Sequence, residues 1–213
     1  MKALILLLIA LSPLGCFAQE EVGEICFDDD HYFDPEKRCY FEAKPGYFFF
    51  TEGDMRRFFD DGGFAIRGEL GYKFWGPLIV WADGSYFQKS GKAIGGTEDI
   101  DLKLATITLG LKAIHYFHER GAVYIGAGPR LFMMMMHNYT PFVRGDDNAI
   151  GIGGGFDAGF WFFPFPRYPN LFFDLFADYS WKTLEVEEDE ISSADSDVNV
   201  SGLTGGLGVG VRF

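Results

Sequence analysis

The last thirteen residues, SGLTGGLGVGVRF, place Leu203, Gly205, Leu207, Val209, Val211 and Phe213 on one parity and Gly202, Thr204, Gly206, Gly208, Gly210 and Arg212 on the other. Period-two alternation puts the two sets on opposite faces of a β-strand, whereas helical spacing would mix them. The same rhythm recurs upstream. Residues 64–74 set Phe64, Ile66, Leu70, Tyr72 and Phe74 against Arg67, Glu69 and Lys73, and residues 78–86 set Leu78, Val80, Ala82 and Tyr86 against Trp81, Asp83 and Ser85. Residues 102–117 oppose Ala105, Ile107, Leu109, Leu111 and Ala113 to Thr106, Thr108, Gly110 and Lys112. A fifth segment opposes Val123, Ile125, Ala127, Leu131, Met133 and Met135 to Tyr124, Gly126, Gly128, Arg130 and Phe132, with Pro129 predicting a bulge or local twist. In a sixth, Ile150, Ile152, Phe156, Ala158, Phe160 and Phe162 face away from Gly151, Gly153, Gly155, Asp157 and Gly159. The seventh opposes Leu171, Phe173, Leu175, Ala177, Tyr179 and Trp181 to Asp174, Asp178, Ser180 and Lys182. Residues 46–52 (GYFFFTE) are the least regular, because three consecutive phenylalanines obscure the alternation.

The polar faces decide which side of each strand points inward. They are rich in glycine, a poor solubilising exterior that suits a crowded lumen. They also carry charges of both signs: Arg67, Lys73, Lys112, Arg130, Lys182 and Arg212 against Glu69, Asp83, Asp157, Asp174 and Asp178. Exposed charge needs no such balance, but in a narrow lumen an unpaired charge costs several kcal/mol. The segments run about ten to sixteen residues, beyond the five or six usual in soluble sheets. Connections after Phe74, Phe117 and Phe163 are short, while residues 53–63, 89–101, 137–148 and 187–198 form long polar ones. These features predict an all-β fold: a single eight-stranded antiparallel up-and-down transmembrane β-barrel over residues 46–213, with short periplasmic turns and longer external loops. Tyr72, Phe74, Trp75, Tyr116, Phe117, Phe163 and Tyr168 cluster near the short turns, as an interfacial aromatic girdle would.

Ahead of the barrel, Lys2, the apolar run at residues 3–11 and the small Ala18 have the form of a cleavable secretory signal over residues 1–18. Residues 19–45 are then an acidic N-terminal segment. In an oxidising compartment Cys26 and Cys39 are expected to pair as a disulfide, and the aspartates between them form a solvated loop rather than a calcium register. A net charge of −13 without clustered basic residues excludes nucleic acid as a partner.

The closing strand resembles the C-terminal strand of small outer-membrane β-barrels of the OmpA/OmpX type. That resemblance implies that Leu207, Val209, Val211 and Phe213 form a signal read by the barrel-assembly machinery, and that the protein sits in outer-membrane lipid. No cofactor or metal is expected. Alternation sends Met133 and Met135 outward and Met134 and Met136 inward, so the methionine run cannot converge on one ion. A lipid-modifying enzyme would need a histidine beside a serine and an acid. His31, His115, His118 and His137 have no local serine partner, so the expectation is a non-enzymatic barrel. A narrow pore or a soluble lipocalin-like barrel are the remaining alternatives; eight strands leave room only for side chains, which favours a lumen plugged by its charges. The external ligand is not legible in the sequence.

Overall fold

The computed structural model describes residues 38–59, 62–92, 99–118, 120–138, 146–165, 167–186 and 196–213. The predicted signal and Cys26 lie outside the described residues. In chain order the elements are β1 (Cys39–Phe50), α1 (Gly53–Phe59), β2 (Gly62–Trp75), β3 (Leu78–Lys92), β4 (Asp99–His118) and β5 (Gly121–Asn138). They continue with β6 (Asp146–Phe162), β7 (Leu171–Trp181), β8 (Thr183–Val186), β9 (Ser196–Asn199) and β10 (Gly202–Arg212). Eight of the strands close into a barrel in the order β1-β10-β7-β6-β5-β4-β3-β2, while β8 and β9 pair as a separate two-stranded extension. Every pairing is antiparallel, and β10 meets β1 to close the ring, with Phe48 opposite Thr204 and Tyr40 opposite Arg212.

The first strand begins at Cys39 rather than near Gly46. Its opening half, CYFEAKP, alternates with polar residues on the inward face: Tyr40, Glu42 and Lys44 are buried and Phe41 is exposed. Such a segment reads as hydrophilic linker unless the lumen is already known to be charged. Cys39, expected to pair with Cys26, is a free thiol in this structure. It occupies the first rung of the ladder, where its backbone N–H donates to the Phe213 carbonyl at 3.0 Å and its carbonyl accepts from the Phe213 N–H at 2.8 Å.

Two prolines enter the ladder without the expected bulge. Across Pro129 the β5–β6 register runs unbroken, and on the β4 side only the pairs at Leu109 and Gly110 drop out, with no shift afterwards. Pro45 does the same on its β10 side, between the Ala43–Val209 and Gly46–Gly206 pairs. Each proline lacks a donor toward one neighbour only, so the ladder is interrupted there and kept on the other side. The register shifts lie instead next to turns, at Lys73/Trp75 and Tyr116/His118.

The longer connections are built in good part of secondary structure. Strand pairing carries β3 and β4 out to Lys92 opposite Asp99, and β5 and β6 to His137 opposite Asp146. Residues 53–59, expected as loop, form α1; Met55 and Phe59, four apart on one helix face, are buried against the barrel mouth. A seven-residue helix is too short to announce itself by periodicity. At the other end Gly76, with φ of 47°, makes the tight turn between β2 and β3. Gly62 opens β2 at φ 146°, where a Cβ would fall 1.8 Å from the Phe48 carbonyl oxygen.

The apolar faces point outward, as in a barrel surrounded by lipid. Leu109, Ile152, Leu175 and Leu207 are 59%, 70%, 59% and 67% exposed, while the polar set is buried. A lipocalin-like barrel would reverse this. Tyr72, Phe74, Trp75, Phe117 and Tyr168 are exposed near the turns, as a girdle requires. Tyr116 and Phe163, expected in that girdle, instead turn inward and are buried, because the parity of their strands assigns them to the lumen.

Candidate functional site: a charge network across the lumen

From turn end to loop end the lumen is filled in three layers. Tyr40, Ile79, Trp81, Tyr124, Trp161 and Phe172 anchor an aromatic layer near the turns. Phe50, Phe87, Leu102, Leu104, Phe132 and Met134, joined by Met55 and Phe59 of α1, form an apolar layer near the loops. Between them lie Glu42, Lys44, Arg67, Glu69, Asp83, Lys112, Arg130, Asp157, Asp174 and Asp178, none more than 4% exposed.

The charges sort into two tiers. In the tier nearer the loops, Arg130 binds Asp178 through two parallel hydrogen bonds, Nη1 to Oδ1 at 2.7 Å and Nη2 to Oδ2 at 2.8 Å, and its Nε donates to Thr108 Oγ1 at 2.6 Å. Arg67 donates to Asp83 at 2.8 Å and lies 3.1 Å from Asp178. Fork-to-fork pairing of this kind is strong and directional. It is possible because small residues clear the space: a Cβ on Gly155 would fall 2.8 Å from the Arg130 guanidinium.

The tier nearer the turns is built on lysine. Lys44 Nζ lies 2.9 Å from Glu69, 3.2 Å from Asp174 and 3.3 Å from Asp157, and it donates to the Tyr124 hydroxyl at 3.0 Å. Lys112 contacts Glu69 and stands 3.0 Å from Asp157. Tyr40 donates its hydroxyl proton to Glu69, and Tyr124 donates to Asp174 at 2.6 Å. Both ammonium groups sit near aromatic faces, Lys112 4.1 Å from the Tyr124 centroid and Lys44 5.1 Å from it, an added source of cation stabilisation. The link between tiers is Asp157, 3.6 Å from Arg67.

Of the lumen charges expected from the sequence, the structure brings together Arg67, Glu69, Asp83, Lys112, Arg130, Asp157, Asp174 and Asp178. Lys73, Lys182 and Arg212 do not join them. All three have inward parity but sit at strand ends; Lys182 is four residues from Asp178, about 13 Å along a strand. Lys182 packs its stem against Gly151 beside Leu184, and Arg212 lies 4.5 Å over the Phe163 ring and donates to the Pro169 carbonyl at 2.7 Å. Glu42 and Lys44 take their place, missed because the first strand starts earlier than the sequence suggests. The signal for them was the alternation of Tyr40, Glu42 and Lys44 immediately before Pro45.

Elsewhere, Leu207, Val209, Val211 and Phe213, expected as an assembly signal, all face outward and are exposed. His115, His118 and His137 are exposed, and His31 lies outside the described residues. Met134 is buried and Met135 exposed, so the methionine run is split between the two faces of β5.

An outward apolar belt, a charged interior and closure of the last strand on the first define the eight-stranded outer-membrane barrel fold of the OmpA/OmpX type. Solved structures share it. Neisserial surface protein A superposes with a TM-score of 0.56 at 20% identity, over 82% of this chain and 97% of that one. The outer membrane protein OprG from Pseudomonas aeruginosa gives 0.55 at 15% identity, over 83% and 97%. Ail, the attachment invasion locus protein of Yersinia pestis, solved with the heparin analogue sucrose octasulfate, gives 0.53 at 17% identity, over 83% and 99%. No protein-family model and no curated protein matches the chain.

Proposed function

We propose that the protein is a closed, non-conducting barrel of the bacterial outer membrane, exported by a signal at residues 1–18 and serving a structural or surface-interaction role. The observation that carries this reading is the charged middle layer, packed between an aromatic and an apolar layer. A cavity at its loop-side edge, among Phe48, Arg67, Phe87, Arg130 and Asp178, amounts to about 20 Å³, room for a single water. Packing of this kind supports a lumen closed to ion flow. Lipid solvates the outward belt, and the outward, alternating Leu207, Val209, Val211 and Phe213 serve recognition by the barrel-assembly machinery.

The surface role is carried by the connections at the loop end, and their acidic character, with residues 185–197 reading EVEEDEISSADSD, favours a neutral or cationic partner. Sulfated polyanions of the kind seen with Ail are repelled by it. The deciding measurement is conductance of the refolded protein in planar bilayers. The expected outcome is no stable open level; a large, steady conductance overturns the plug.

A further inference from the structure

The lysine tier is not balanced. Lys44 and Lys112 face Glu42, Glu69, Asp157 and Asp174, four carboxylates each no more than 1% exposed. The two lysines are taken up by the other three: Lys44 lies within 3.3 Å of Glu69, Asp157 and Asp174, but 3.7 Å from Glu42. Neither oxygen of Glu42 has a hydrogen-bond partner, and Asp174 Oδ1 has none either.

The surroundings of Glu42 are traceable strand by strand. On β2 its direct cross-strand neighbour is Glu69, a like charge. Its own strand contributes Tyr40 and Lys44, whose polar groups are directed at Glu69. On β10 the inward positions beside Glu42 are Gly206, Gly208 and Gly210, and a Cβ on Gly208 would fall 2.3 Å from Glu42 Oε1 and 3.2 Å from the Asp174 Cβ. Glu42 and Asp174 therefore reach toward each other over a strand that has no side chain to separate them. Beyond Asp174, Tyr124 of β5 and Asp157 of β6 complete the tier, and Lys112 of β4 is engaged by Glu69 and Asp157. Arg67 is 3.6 Å from Asp157 and serves the other tier, and Arg212 of β10 is turned to the Phe163 ring and the Pro169 carbonyl.

A buried carboxylate flanked by two others and lacking a donor takes up a proton in preference to staying charged. We propose that Glu42 is a proton-binding site: it is a neutral carboxylic acid in the folded barrel and donates its hydrogen to Asp174, closing a carboxyl–carboxylate pair over Gly208. The pair supplies the donor that the orphaned oxygens lack. It leaves two lysines and two tyrosine hydroxyls to serve three carboxylates, and removes the like-charge contact between Glu42 and Glu69. Among the six buried carboxylates of the described lumen, Glu42 stands farthest from a cation, 3.7 Å from Lys44.

The test uses the full refolded barrel at neutral pH. Infrared spectra of the wild type show the C=O stretch of a protonated carboxyl group, and Glu42→Gln, which keeps shape and a hydrogen-bond donor, loses it. The thermal midpoint of Glu42→Gln stays at or above that of the wild type, whereas Glu69→Gln lowers it clearly. Absence of the protonated band in the wild type overturns the proposal, and this holds even if a variant fails to refold. A midpoint for Glu42→Gln that falls as far as that of Glu69→Gln also overturns it. So does a midpoint raised by sodium, magnesium or calcium in the wild type and not in Glu42→Gln, which would make the occupant a metal cation.

Discussion

The two tiers of the lumen answer the same problem with different chemistry. In the arginine tier, Arg67 and Arg130 meet Asp83 and Asp178 one for one, and geometry carries the energy: planar guanidiniums matched to carboxylates, one of them bidentate. In the lysine tier, two point-like ammonium groups serve three carboxylates besides Glu42, so each lysine is shared and tyrosine hydroxyls make up part of the shortfall. The arginine tier is stoichiometric and directional. The lysine tier is crowded with negative charge and held by its few cations. Loss of one cation should therefore hurt the second more than the first, although arginine makes the better individual bonds.

The largest effect is expected for Lys44→Met, which keeps an unbranched side chain of similar length and leaves Lys112 alone against Glu69, Asp157 and Asp174. Breaking a buried ion pair by removing one partner costs about 3–5 kcal/mol. For Lys44 the upper end, about 5 kcal/mol, or outright failure to refold, is the expected outcome. Denaturant unfolding in detergent, followed by the unheated gel mobility of the folded barrel, measures it. A loss smaller than that of the corresponding arginine variant would reverse the ranking of the tiers.

Arg130→Met comes next. It removes both hydrogen bonds to Asp178 and the one to Thr108, but Arg67, 3.1 Å from Asp178, remains to hold both aspartates. A loss of about 3–4 kcal/mol is expected in the same assay. If it equals that of Lys44→Met, the stoichiometry of the tiers does not matter and only the number of bonds removed does.

The contrast also marks what the sequence made legible. The arginine tier was visible throughout, because Arg67, Asp83, Arg130 and Asp178 sit on strands whose opposite faces are plainly apolar. One of the two lysines and one of the four acids of the lysine tier were hidden, Lys44 and Glu42, since Phe41, Ala43 and Pro45 make a weak apolar face and the turn signal of Pro45 masks the strand. The closing strand followed from parity, and the outward belt from parity together with the glycine-rich, charge-balanced polar faces. Parity could not give depth along the barrel axis, which is what removed Lys73, Lys182 and Arg212 from the network. Nor could it show that inward aromatics such as Trp161 and Phe172 pack the turn end of the lumen, because both lie in runs of consecutive aromatics where neither face is polar.

Depth along the axis has its own test in Lys182→Met. The variant keeps the methylene stem that packs against Gly151 and Leu184 and removes only the ammonium group. Lys182 has the inward parity of Asp174 and Asp178 on the same hairpin, so a network defined by parity would lose a cation and several kcal/mol. A network defined by depth loses nothing, because about 13 Å of strand separates this residue from Asp178 and its half-buried position leaves it solvated. The expected change is within about 0.5 kcal/mol of zero, the range of substitutions away from buried charge. A loss comparable to that of Arg130→Met would mean that the arginine tier extends to the loop end and that the apolar layer above it does not insulate it.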